Sequence, residues 1–245
     1  MSEVPSGTLV IFDCDGVLVD SEPIASEVFS QAVTELGFIM SPQEADSAFR
    51  GRSLPDCLAI LERRLGHKVP QDFLPALTLA TKTAFADRLR PIPFIREVLL
   101  ALQEEHVPMC VASSGSLQKI KHSLQLTSLL EFFCNAEGSA RLFSAEQVEQ
   151  GKPAPDLFLL AARSMGYPPA RCIVIEDSQA GVQAAQAALM DVLAFVPAQS
   201  PPEQSEFFAS LGVPVFRAMS ELPDQLAQRS ILTDRDRILP GRGPC

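Results

Sequence analysis

The sequence predicts an α/β protein with a doubly wound, Rossmann-like parallel sheet and a small all-helical cap domain inserted after the first strand. Three observations predict this fold class. Short β-branched runs recur along the chain, helical patterns follow most of them, and one long stretch near the N-terminus carries helical periodicity alone. The length of 245 residues suits one large α/β domain or a core with a smaller insertion.

Short apolar runs predict the strands of the sheet, because strands buried on both faces read as continuous hydrophobic segments. Most are followed by a polar or glycine-containing stretch and then by a helical pattern, as over Leu117–Leu126. The predicted strands are Leu9–Phe12, Met109–Ala112, Cys172–Ile175, Val192–Val196 and Pro214–Phe216.

The predicted cap spans residues 21–90, and the core spans 1–20 and 91–229. Helical periodicity recurs within the cap, and Pro91 and Pro93 disfavour helix beyond it. Residues 230–245 mix charges with proline and glycine, which predicts a flexible tail. The helical stretches predicted in the cap are Ile24–Leu36, Asp56–Leu65 and Phe73–Leu89.

Composition excludes several classes of protein. Hydrophobic residues make up 47% and charged residues 20%, which indicates a packed core and not a disordered chain. The net charge of −10, without a lysine and arginine cluster, argues against nucleic-acid binding. Neither a membrane-spanning run nor a signal-peptide pattern is present, so we expect a cytoplasmic protein with no membrane partner. The six scattered cysteines predict reduced thiols.

Two acids follow the first predicted strand, in the run FDCDGVLVDSE. Asp13 and Asp15 there would be costly to bury without partners, and ligands of open α/β sheets bind at the carboxyl ends of the strands. A divalent cation would relieve their repulsion, and magnesium favours hard oxygen ligands of which few come from protein. The alternative is an ordinary turn with Asp13 as a helix cap.

Hydroxyl groups and a lysine follow at two later points. Ser113 and Ser114 end a predicted strand before a helix, where hydroxyl and backbone N–H groups suit a phosphate, although serine and glycine also make ordinary caps. Lys152 lies between Gly151 and Pro153. It could be a solvated loop charge or could be held pointing at an anion.

A second pair of acids ends another predicted strand, in CIVIEDSQAG. Glu176 and Asp177 could simply favour the positive end of the following helix. A second acidic pair at a strand end nevertheless favours a metal site. The small residues after Ser178 predict a helix that packs close to the sheet.

In chain order, DCDGV, VASS, GKPAPD and EDSQAG resemble the four motifs of the haloacid dehalogenase-like hydrolase superfamily. The last two motifs and the helical cap look most like the β-phosphoglucomutase-like branch. The run FRGRSLPD resembles the cap loop of bacterial sugar-phosphate phosphatases, including those for 6-phosphogluconate.

The resemblance implies a Mg²⁺-dependent phosphatase that hydrolyses small phosphate monoesters, such as sugar phosphates, through an aspartyl-phosphate intermediate. Asp13 would be the nucleophile and Asp15 the acid and base. The resemblance also implies phosphate-binding residues, metal ligands and substrate-binding residues. The phosphate would be bound by Ser113, Ser114 and Lys152, the metal by Asp13, Asp15, Asp177 and Glu176, and the substrate by the cap residues Arg50 and Arg52.

Two other functions stay open. A hexose-phosphate mutase of this branch carries a histidine and an arginine where this chain has Ala25 and Leu54, which argues against it. A catalytically silent module that binds a phosphorylated ligand would have lost a catalytic residue, and all of them are present. In either phosphoryl-transfer case the partner is a small phosphorylated molecule, and we expect a monomer or a weak homo-oligomer.

Overall fold

The computed structural model describes residues 7–49, 54–135 and 137–232. Within them the chain forms one parallel sheet whose strands lie in the order β3-β2-β1-β4-β5-β6. This is the strand order of Rossmann-like sheets. The strands are β1 (Leu9–Phe12), β2 (Met109–Ser113), β3 (Leu142–Ser144), β4 (Cys172–Glu176), β5 (Asp191–Phe195) and β6 (Val215–Phe216).

All five predicted strands are confirmed, with ends that differ by no more than one residue. The sequence analysis missed β3, which has three residues and, within the described residues, pairs with β2 alone. The strand order reverses between β1 and β4, and ligands of open α/β sheets bind at such a point, beyond the carboxyl ends of the strands. We therefore expect a ligand site among the residues at the carboxyl ends of β1 and β4.

Of the five helices between β1 and β2, α5 begins beyond residue 90, and α1 to α4 form the predicted helical cap. The three helical stretches expected there correspond to α1, α3 and α4. The additional α2 starts with a capping box, in which Ser41 accepts a hydrogen bond from the N–H of Glu44 and Glu44 accepts one from that of Ser41. These helices are α1 (Glu22–Glu35), α2 (Pro42–Phe49), α3 (Leu54–Leu65), α4 (Phe73–Arg88) and α5 (Ile95–Glu104).

The chain leaves the core and returns to it at neighbouring points. The N–H of Asp20 donates to the carbonyl of Arg90 at 2.9 Å, and that of Ile92 donates to Leu18 at 3.0 Å. Both connections between core and cap therefore run side by side. The domain boundaries at residues 20/21 and 90/91 stay a prediction. The two hydrogen bonds lie at these boundaries.

Helices on both faces bury most of the sheet, and β1, β2 and β4 are buried throughout. On β1, Val10 and Phe12 belong to the core cluster on one face, whereas Leu9 and Ile11 belong to the cluster on the other. Burial of each such side chain contributes about 1.5–3 kcal/mol. The remaining helices are α6 (Leu117–Leu126), α7 (Asp156–Met165), α8 (Gln179–Ala187), α9 (Pro202–Ser210) and α10 (Leu222–Ala227).

Two further expectations concern the thiols and the membrane. In the parts of the chain that the structure describes, five cysteines are free thiols, four of them buried. None of the helices described has both the length and the apolar character needed to cross a bilayer.

Candidate active site

The carboxyl edge of the sheet brings the predicted catalytic and phosphate-binding residues together. Asp13 directly follows β1, Ser113 ends β2 and Glu176 ends β4. The N–H of Asp13 donates to the carbonyl of Ile175 at 3.0 Å, which fixes the backbone of Asp13 beside the end of β4. The three motifs thus converge on one edge of the sheet.

Lys152 is buried among acceptors and is not a solvated loop charge. Its Nζ donates to Asp13 Oδ1 at 2.6 Å, to Glu176 Oε1 at 2.7 Å and to the carbonyl of Ala112 at 3.1 Å. An ammonium group has three N–H donors, and here each has an acceptor. Only 3% of the side chain is exposed, and the Nζ lies 4.9 Å from the centre of the Phe158 ring.

Burial determines the direction of the pKa shift of Asp13 but not that of Lys152. It raises the pKa of Asp13 to about 7, although the Lys152 ammonium acts in the opposite direction, and the neighbouring Glu176 and Asp15 add to the increase. Burial alone would lower the pKa of Lys152, but Asp13 and Glu176 outweigh it and raise that pKa. Lys152 therefore stays protonated, whereas burial and the neighbouring acids disfavour the charged form of Asp13.

Glu176 is fully buried and acts as a support for Lys152 and for the following loop. Its Oε2 accepts hydrogen bonds from the N–H groups of Asp177 at 2.8 Å and Ser178 at 2.7 Å, and from the Ser178 hydroxyl at 3.0 Å. A Cβ on Gly181 would lie 1.7 Å from Oε1, so only glycine lets α8 approach this closely. The geometry favours a supporting role, and direct metal ligation by Glu176 stays a prediction.

Asp15 has two partners that the sequence analysis missed. Its Oδ1 accepts a hydrogen bond from the Ser21 hydroxyl at 2.6 Å, and its Oδ2 accepts one from Lys119 Nζ at 2.7 Å. Burial would raise the pKa of Asp15, but Lys119 and Ser21 outweigh it and hold that pKa below its usual value. Ser21 lies four residues beyond the motif DCDGV, and Lys119 lies in the first turn of a helix that begins just beyond a strand end.

The two serines after β2 have different environments. Ser113 is buried and its Oγ accepts the N–H of Gly115 at 3.2 Å, whereas Ser114 is exposed. Ser144, at the end of the unpredicted β3, donates its hydroxyl to the carbonyl of Gly115 at 2.6 Å. The loop that carries both predicted phosphate-binding serines is therefore anchored from two strands.

Asp177 lies against the loop that follows β1. Gly16 in that loop has a φ of +79°, and a Cβ there would lie 2.4 Å from Asp177 Oδ2. Only glycine combines this backbone conformation with so close an approach. The Asp177 carboxylate therefore lies beside the backbone that follows Asp15, and Gln204 fixes the Asp177 carbonyl with a hydrogen bond of 2.7 Å.

The charges of this edge suit a divalent cation. The described strand ends carry four carboxylates, and two ammonium groups bind three of these four side chains. Across the residues described, no group of three or more histidine, cysteine or acidic side chains is arranged to hold a metal. Magnesium takes hard oxygen ligands and keeps several waters. A site formed by two of the carboxylates and one backbone carbonyl at this edge would therefore suit the ion. The carboxylates are Asp13, Asp15, Glu176 and Asp177.

The structure does not test the cap residues that are predicted to bind substrate. Arg50 and Arg52 lie outside the described residues. Their role stays a prediction that depends on the resemblance of the cap loop.

Comparisons with known proteins agree with the geometry. The profile of the family described as haloacid dehalogenase-like hydrolase matches residues 10–195. The chain is 32% identical over 187 residues to a 6-phosphogluconate phosphatase of Escherichia coli K12, which covers 76% of this chain and 81% of that protein. It is 30% identical over 184 residues to a fructose-1-phosphate phosphatase of the same organism, with 75% and 94% covered.

Solved structures give the same result. A haloacid dehalogenase family hydrolase from Deinococcus radiodurans R1, crystallised with bound phosphate and sodium, superposes with a TM-score of 0.76 at 30% identity. The match covers 94% of this chain and 99% of that one. The chain therefore belongs to the haloacid dehalogenase-like hydrolases, and it is a phosphoric monoester hydrolase of that family.

Proposed function

We propose that the protein is a Mg²⁺-dependent phosphatase of phosphorylated sugars and that Asp13 is its covalent nucleophile. The observation that carries this proposal is the pair of carboxylates after the central strand. Asp13 is held through one oxygen by Lys152, and Asp15 lies two residues away with a different set of partners. Two acids in different environments suit two different roles.

Asp13 would attack phosphorus with Oδ2, since Lys152 binds Oδ1. A bond from Oδ2 to phosphorus forms while the bond from phosphorus to the sugar oxygen breaks. The resulting aspartyl-phosphate intermediate divides one difficult displacement into two easier ones. The buried Lys152 ammonium would offset the repulsion between the carboxylate and the approaching phosphate.

Asp15 would handle the protons of both steps. It would protonate the leaving sugar oxygen and then accept a proton from the water that attacks phosphorus, which releases phosphate and restores Asp13. Such transfers contribute about 10²–10⁴-fold in rate. Ser21 and Lys119 each bind one of its oxygens, and a carboxylate oxygen has a second lone pair that can take the proton.

The loop after β2 would bind the transferring phosphoryl group. Ser113 Oγ accepts the N–H of Gly115, so its hydroxyl hydrogen can point at a phosphoryl oxygen. Ser114 and Lys152 would complete this binding. A reaction of this kind depends mainly on positioning and on charge stabilisation.

Magnesium would be held by the side chains of Asp13 and Asp177 and by the backbone carbonyl of Asp15, with Glu176 in support. When bound, the cation supplies positive charge to the phosphoryl oxygens. The grouping of four carboxylates at this edge of the sheet supports this assignment.

The proposed substrate class is phosphorylated sugars and sugar acids, and 6-phosphogluconate is the first candidate. The support is the identity to the two relatives, at 32% and 30%. Arg50 and Arg52 would bind the polar part of the substrate from the cap. Ala25 and Leu54 continue to argue against a mutase.

Phosphate release with Mg²⁺ across a panel of sugar phosphates, 6-phosphogluconate, phosphoglycolate and nucleotides tests the proposal. We expect release by the wild type, no release by Asp13→Asn, loss in EDTA and recovery with added Mg²⁺. Full activity in EDTA would remove the metal from the account. No release from any compound would contradict the phosphatase, and conversion between hexose phosphates would then be measured.

A further inference from the structure

We propose that Lys119 is a positioning residue that holds the carboxylate of Asp15 at the angle from which it reaches the leaving oxygen. This inference rests on the proposed function, in which Asp15 is the acid and base. It adds a residue that lies outside the four motifs of the sequence. It concerns the geometry of Asp15 and not the binding of substrate.

The contact between the two side chains is direct and oriented. Lys119 Nζ lies 2.7 Å from Asp15 Oδ2, and the Ser21 hydroxyl lies 2.6 Å from Oδ1. An aspartate side chain has two rotatable bonds, so one partner alone would leave its carboxylate free to turn. With a donor on each oxygen, the plane of the carboxylate is fixed.

The local structure places the lysine for this contact. Ser116 caps α6 and accepts the N–H of Lys119, which fixes the first turn of the helix. Gly115 leaves room for the lysine stem, because a Cβ there would lie 3.3 Å from Lys119 Cδ. The run Ser113–Lys119 therefore carries both the predicted phosphate-binding serines and a lysine that crosses to the loop after β1.

Lys119 also lies at the boundary between core and cap. Its ammonium is 5.9 Å from the centre of the Phe85 ring of α4, in the cap, and Ser21 immediately precedes the first cap helix. A cation over an aromatic face is attracted by the ring. The acid and base is thus held from one side by a core helix and from the other by the start of the cap.

A misplaced acid slows the chemistry more than it weakens binding. Loss of an interaction that operates only in the transition state lowers kcat, whereas loss of a substrate-binding cation raises KM. A shift of about 1 Å in a reacting group costs up to about 10²-fold in rate. The ratio of these two kinetic constants therefore distinguishes a positioning role from substrate binding.

The experiment compares Lys119→Met with Lys119→Arg and with Lys121→Met on the best substrate found in the phosphate-release panel. Lys121 lies on the same helix and is exposed, so its variant is a matched control for loss of one positive charge from α6. We expect Lys119→Met to lower kcat about 10- to 100-fold with KM within about threefold of the wild type. Arginine should restore most of the kcat, and the control should match the wild type.

Each other outcome overturns the inference. A raised KM at unchanged kcat would make Lys119 a substrate-binding residue. Unchanged kcat and KM would make it an ordinary surface charge. A wild type with no turnover on any compound would instead overturn the proposed function, on which this role depends. The proposed function and the role of Lys119 therefore fail in different ways.

Discussion

The two lysines of the site bind carboxylates at nearly the same distance but in contrasting surroundings. Lys152 is 3% exposed and satisfies two buried acids and a backbone carbonyl. Lys119 is 42% exposed and binds one acid beside the cap. The first ion pair is therefore part of the core, whereas the second lies at a boundary between two parts of the chain.

This difference separates stability from chemistry. Breaking a buried ion pair by removing one partner costs about 3–5 kcal/mol, whereas an exposed pair contributes about 0–1 kcal/mol. We therefore expect the Lys152 side of the site to stabilise the fold and to hold Asp13, and the Lys119 side to orient Asp15 with little effect on stability. Substitution of each lysine in turn therefore tests the two ion pairs separately.

The largest effect is expected from Lys152→Met. The change leaves Asp13 and Glu176 buried without their cation, so the free energy of unfolding should fall by about 3–5 kcal/mol, and phosphate release should be lost. Urea unfolding followed by circular dichroism measures the first quantity. A loss below about 1 kcal/mol would show that the pair is not buried in solution.

A smaller effect is expected from Gly181→Ala. The new Cβ would lie 1.7 Å from Glu176 Oε1, and the carboxylate is held by four donors and cannot move aside. Strain of this kind costs about 1–3 kcal/mol, and turnover should fall with it. Gly151→Ala is the control, because its Cβ would make an ordinary 3.6 Å contact with Ala145. Equal stability of the two variants would contradict the account of Glu176.

The smallest effect on stability is expected from Lys119→Met. The free energy of unfolding should change by less than about 1 kcal/mol, even though kcat falls. Urea unfolding beside Lys152→Met makes the comparison. A loss as large as that of Lys152→Met would mean that Lys119 supports the fold, and the proposed separation of the two sides would be wrong.

Much of the fold could be predicted from the apolar runs and the prolines of the sequence. The strands around the site are continuous apolar runs such as Cys172–Ile175, and Pro91 and Pro93 follow closely on the end of α4 at Arg88. In contrast, β3 has only three residues and pairs along one edge, so it has no pattern of its own. Helix α2 is mostly polar, and its capping box at Ser41 and Glu44 was the one local signal.

The residues of the site also differ in whether the sequence predicts them. Asp13 and Asp177 directly follow β1 and β4, and Glu176 ends β4, so strand prediction located them. Lys119 meets Asp15 across 104 residues of chain, and the contact depends on the packing of α6 against the sheet. A periodic pattern indicates which face of a helix is buried, but not which distant side chain its first turn will reach.

The central claim is that Asp13 carries the phosphoryl group during turnover, and trapping that intermediate tests it most directly. Wild-type protein and Asp13→Asn would be mixed with Mg²⁺ and the best substrate, quenched in acid within the first turnover, and digested for mass spectrometry. The account predicts a phosphoryl group on the wild-type peptide that contains Asp13 and none in the variant. Phosphorylation of another residue, or normal phosphate release by Asp13→Asn, would contradict it.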